Sequence, residues 1–152
     1  MEAVNGGRGT YADPWELETP DGIHRYRMYL DVESEPLALI CALGVDTFGY
    51  QLRCVEDLYQ MLRGRGDWVD LGVKDEKGVP AEGTVEAWAR SPDNPVGGWY
   101  GLKTGWRGRF AMYVPPLLEL FGLVELEHHL RDNRVRAVVS HRPPPPPFFY
   151  RR

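Results

Sequence analysis

"LVELEHHLRDNRVRAVV", Leu123 to Val139, is the stretch whose reading decides the fold. Apolar and polar residues alternate on both sides of Asp132-Asn133, a pair suited to a two-residue hairpin turn. Folding the chain there pairs Leu130 with Val135, His128 with Ala137, and Leu126 with Val139 on one face. The other face then carries Glu125, Glu127, His129, Arg131, Arg134 and Arg136, with Glu127 diagonal to Arg136. A slip of one residue would invert both faces, so this separation of apolar from polar argues for the register.

Just upstream, "PPLLELFG" (115–122) predicts a helix, with proline in its first turn and Gly122 past its end. Further back, "TVEAWARS" predicts a helix capped by Thr84, with Val85, Trp88 and Ala89 inward, stopping before Pro92. Between the two lies "GGWYGLKTGWRGRF" (97–110), where glycines alternate with tryptophans and cations. Val55, Leu58, Met61 and Leu62 define the inner face of an earlier helix ended by Gly64 or Gly66, and Trp68-Val69 reads as a short strand. Before them, "HRYRMYLDV", "PLALICALG" and "TFGYQLR" predict three strands of an antiparallel meander.

The order from Val55 onward is helix, short strand, helix, helix, hairpin, and with "LLELFGLVELE" it resembles a winged-helix domain. The wider stretch from Asp21 to Val138 is similar to an uncharacterised bacterial domain family. The expected fold class is therefore α+β, an N-terminal antiparallel β-meander followed by a winged-helix-like helical portion ending in a β-hairpin. The expected division is a segment at 1–22, flexible apart from an anchor at Trp15, one compact domain at 23–140 and a proline-rich tail at 141–152. Within that domain the meander occupies 23–53 and the winged-helix-like part 55–140.

At 152 residues, 43% of them hydrophobic and 26% charged, the chain has the composition of one globular domain. No run of about 18 apolar residues marks a membrane span, and the N-terminus lacks the apolar core of a secretory signal. A cytoplasmic location is expected, with Cys41 and Cys54 as buried free thiols. Charge is uneven. Residues 1–97 hold nine Lys/Arg against eighteen Asp/Glu (−9), and residues 98–152 hold nine against four (+5). The basic half suits an anionic partner.

If the hairpin is a wing, "PPLLELFG" occupies the recognition position, yet it offers no side chain that reads base edges. Contact with nucleic acid then falls to phosphate-binding cations: Lys103, Arg107 and Arg109 on the glycine-rich loop, and Arg131, Arg134 and Arg136 on the hairpin. Trp99 and Trp106 are candidates for stacking on exposed bases. The competing reading makes the tryptophans core residues and the arginines solvated. Gly101-Leu102-Lys103-Thr104 fails the P-loop pattern, which leaves only a generic nest of backbone N–H groups for an anion. Glu125, Glu127 and His129 alternate on one strand face, but three ligands on an exposed strand are a poor metal site. Glu56, Asp57, Asp67 and Asp70 suit a helix start and a turn. No catalytic constellation is visible, and no cofactor is expected. The alternative function is protein interaction or dimerisation, through Leu117, Leu120 or the Phe148-Phe149-Tyr150 tail. A small enzyme acting on an anionic substrate at the loop ranks third.

Overall fold

Trp15 and Leu17 alternate with Glu16 and Glu18, and this pattern builds strand β1 (Trp15–Glu18) inside the segment expected to be flexible apart from Trp15. The computed structural model describes residues 7–138; the proline-rich tail expected at 141–152 lies outside them. Strands β2 (Arg25–Asp31), β3 (Ala38–Leu43) and β4 (Asp46–Gln51) follow, and the antiparallel sheet runs β1-β2-β3-β4. Met28 stands opposite both Trp15 and Cys41, and Cys41 opposite Phe48, which lines the apolar residues up on one face. The other face carries the exposed pairs Arg25–Glu18 and Arg27–Glu16. β3 is buried on both faces from Ala38 to Cys41, in keeping with its continuous apolar run.

The second half begins with α1 (Cys54–Arg65), which buries Val55, Leu58 and Leu62. Gly66 ends it at φ 70°, a left-handed value that glycine adopts without strain, and its N–H donates to the Leu62 carbonyl. After β5 (Val69–Asp70) comes α2 (Val85–Trp88), whose cap Thr84 accepts a hydrogen bond from the Ala87 N–H. Then follow α3 (Phe110–Tyr113), α4 (Pro115–Leu120), β6 (Val124–Leu126) and β7 (Arg134–Ala137). The small second sheet has the order β5-β7-β6, so the last strand is its centre. No described helix is long and apolar enough to cross a membrane.

The hairpin differs from its expected register. Val124 pairs with Ala137, Glu125 with Arg136 and Leu126 with Val135, so the connection spans seven residues, 127–133, instead of two. The Asn133 side chain closes this loop, accepting from the His129 N–H (2.6 Å) and donating to the His129 carbonyl (2.9 Å). Because the slip is by four residues, an even number, Leu126, Val135 and Ala137 still face the core. His128 and Leu130 leave the strand for the loop.

One core spans both halves. The Tyr26 hydroxyl donates to the Tyr113 carbonyl at 2.7 Å, and the Phe48 and Tyr113 rings stack at 5.2 Å. Trp15 meets Phe121 edge-on at 5.3 Å. The inner face of the four-stranded sheet thus covers α3 and α4.

Candidate functional site

The glycine-rich loop lies along the outer edge of β4. The Gln51 N–H donates to the Tyr100 carbonyl (2.9 Å), the Leu102 N–H to the Gly49 carbonyl (2.8 Å), and the Gly49 N–H to the Trp106 carbonyl (3.3 Å). An edge that would otherwise display unpaired backbone groups is covered. Glycine permits the approach on both sides. A Cβ on Gly49 would lie 2.6 Å from the Trp106 ring, and one on Gly101 would lie 2.3 Å from the Arg107 side chain. The Tyr50 hydroxyl donates to the Gly108 carbonyl at 2.9 Å, and the Tyr100 hydroxyl to Asp57, which also receives Arg53.

The loop does hold an anion, and that anion is the protein's own Glu76. Its carboxylate accepts from the backbone N–H groups of Gly105 (3.0 and 3.1 Å to its two oxygens) and Arg107 (3.0 Å), and so fills the nest that the glycines make. A second acid, Glu86, is 1% exposed and accepts from the Phe110 and Ala111 N–H groups at 3.1 and 3.0 Å. Burial pushes the Glu86 carboxyl up, against the opposing pull of the Ala111 N–H and of Arg90 at 3.1 Å. Arg90 also donates to the carbonyls of Gly78, Lys74 and Asp75. It therefore ties the 74–78 loop to α2.

Trp99 and Trp106, the two candidate stacking residues, are half-buried, and cations already sit over their rings. Arg90 and Arg107 lie 4.3 and 5.3 Å from the Trp99 ring centre, and Lys103 lies 4.2 Å from that of Trp106. The Nε atoms of Arg90 and Arg107 are buried without a hydrogen-bond partner. Among the hairpin cations, Arg134 pairs with Glu127 and Arg136 with Glu125, each at 2.6 Å. Both guanidinium groups also lie over Trp68, at 4.9 and 4.5 Å from its ring centre. The Arg134 hydrogen bond holds the Glu127 carboxyl below the usual carboxylate range.

Lys103, Arg107, Arg109 and Arg131 take part in none of the ion pairs formed among the described residues. Arg109 is exposed with a left-handed φ of 59°, and its N–H donates to the Lys74 carbonyl at 2.9 Å. Lys74 and Arg131 line one cleft of 370 Å³, between the β1–β2 turn, the chain after β5, and the hairpin loop. Asp21 and Asp132 line the same cleft. Arg109 thus meets Lys74 through the backbone alone, Arg131 shares the cleft with Lys74, and Arg134 and Arg136 are paired charges.

Other candidates fare differently. Glu125 and Glu127 are engaged by arginines, and no group of three His, Cys, Asp or Glu among the described residues is placed to hold a metal ion. Burial pushes the Cys41 and Cys54 thiols up, away from the reactive thiolate. Leu117 is fully buried, and Leu120 is half-buried against the core. The tail residues Phe148, Phe149 and Tyr150 lie outside the described residues. Sequence reasoning missed Glu76, Arg90 and Lys74. The Glu86–Arg90 spacing on a predicted helix was a visible signal for one of them. Glu76 and Lys74 sit in a polar loop with no local pattern.

Compared with known protein families, the chain matches the model of a family of unknown function (DUF6855) over residues 7–138 and belongs to that family. No curated protein and no solved structure matches it.

Proposed function

We propose, from the premise that the chain belongs to the DUF6855 family of unknown function, that it is a non-enzymatic binding module. Its glycine-rich loop contacts the phosphates of a nucleic-acid backbone without reading bases. The carrying observation is the contrast between Lys103, Arg107 and Arg109, which form no ion pair among the described residues, and Arg134 and Arg136, held by Glu127 and Glu125. A paired cation must give up its carboxylate before it neutralises a phosphate, whereas an unpaired one releases counterions at once. Since Glu76 fills the backbone nest, the contacts come from side chains.

The helix order with strand order β5-β7-β6 is, on this reading, a winged-helix arrangement with the 127–133 loop as its wing. In it α4 occupies the recognition position. Its buried Pro115–Leu118 stretch under the four-stranded sheet is the reason the proposal stops at phosphates.

The test is fluorescence anisotropy of labelled single- and double-stranded oligonucleotides, titrated at two salt concentrations. Three or four phosphate contacts predict a slope of log K against log salt of about −2 to −4. Lys103→Ala and Arg109→Ala should each weaken binding and reduce the slope by about one. Arg134→Ala should leave both nearly unchanged. Absence of binding at low salt, or equal losses in all three variants, overturns the reading.

A further inference from the structure

His128 stands where three elements meet. Its Nδ1 lies 3.0 Å from the Pro20 carbonyl in the β1–β2 turn, and its Nε2 lies 2.6 Å from the Glu119 carboxylate on α4. The residue itself belongs to the 127–133 loop, whose Leu130, Arg131, Asp132 and Asn133 form one wall of the 370 Å³ cleft. Pro20 and Asp21 form the facing part of that cleft.

Both partners of the ring are acceptors. Only imidazolium can donate to both, because neutral imidazole has one N–H and one lone pair, whichever tautomer it adopts. Losing the proton turns one of the two bonds into a lone-pair repulsion.

We infer that His128 is a proton-operated clasp, holding the hairpin loop to the β1–β2 turn and to α4 when charged and releasing it, and with it the cleft wall, when neutral. The surrounding charges agree with this. Glu119 on α4 and Glu18 on β1 both favour the cation. Asp21, beside Pro20, is occupied by the Thr19 hydroxyl and the Ile23 N–H. On the loop's own side, Glu127 is engaged by Arg134 and lies 3.9 Å from His129, turned to those partners. Partial burial works to lower the His128 pKa, but the Glu119 hydrogen bond and charge outweigh it and raise the value above 6.5. The sign follows. A folded value above the unfolded one means the clasp is complete below the unfolded value and is lost as pH rises through the folded one.

The inference stands apart from the phosphate reading, since its test needs no nucleic acid. On the full chain, the histidine ring resonances and the amide protection factors of His129 and Leu71, whose N–H groups donate to Asn133, are followed by NMR from about pH 5 to pH 8. The His128 midpoint should lie above the ordinary histidine value, and loop protection should fall several-fold around the same midpoint. Glu119→Gln, at a half-exposed site, should lower that midpoint and flatten the loop's response. His129→Gln should change neither. Loop protection that ignores pH, a His128 midpoint at or below the ordinary value, an unaltered response in Glu119→Gln, or a response abolished in His129→Gln would each overturn the clasp.

Discussion

Glu86 shows how much one side chain can organise. A buried carboxylate that accepts two backbone N–H groups and an arginine fixes the start of α3, the end of α2 and, through Arg90, the 74–78 loop. Glu86→Ala leaves two buried donors and a largely buried guanidinium without their acceptor, a loss of about 3–5 kcal/mol in a urea unfolding curve. Glu76 is the contrasting case. Its carboxylate sits half-exposed in the loop nest, where water can take its place on the two freed N–H groups, so Glu76→Ala should cost less, about 1–2 kcal/mol in total. Glu86 and Arg90 stand at i,i+4 in "TVEAWARS", a spacing that could have pointed to the pair. Glu76 has no such signal, because its partners stand 29 and 31 residues away with no shared pattern.

Among the elements, those with a clear period were legible and those without were not. The strands of "HRYRMYLDV" and "TFGYQLR", helix α1 and the Thr84 cap follow from alternation, helical spacing and capping chemistry. β1 is only four residues long and sits among turn-forming residues, which hid it. In the hairpin, alternation places Leu126, Val135 and Ala137 inward, as observed, but His128 and Leu130 are exposed in the loop and the register differs. Asp132-Asn133 has the composition of a tight turn, and the Asn133 side-chain bracket on His129 leaves no trace in periodicity. For the candidate site, the loop cations were visible as a basic cluster, but their separation from Arg134 and Arg136 depends on which carboxylates lie across the strands. The docked loop makes a prediction of its own. Gly49→Ala would push a methyl into the Trp106 ring, so it should cost about 1–3 kcal/mol and speed exchange of the Gln51 and Leu102 amides, the two that pin the loop to β4. Unchanged exchange at both would mean the loop is held by something else.

On the scale of the whole molecule, the two halves share their interior. The Tyr26 hydroxyl, the Phe48–Tyr113 stack and the Trp15–Phe121 contact cross between them, and a single cluster of buried residues runs from Trp15 to Ala137. Unfolding should therefore be one transition, with far-ultraviolet circular dichroism and tryptophan fluorescence coinciding. Tyr26→Phe should lower its free energy by roughly 1–2 kcal/mol, since the buried Tyr113 carbonyl loses its donor. Two separated transitions would show that the meander and the helical half fold independently. The same packing accounts for the apolar composition of α4, whose Pro115–Leu118 stretch is buried.

The second sheet has a consequence for how the chain is made. Its middle strand, β7, is the last one synthesised, and Val69 waits 66 residues for its partner Val135. While the chain emerges, β5 and β6 have no common neighbour, so a newly made chain must keep its helical half open until Arg134–Ala137 appears. Chains ended at Asn133 should accordingly stay open to protease from Val69 onward, whereas chains ended at Val138 should resist it.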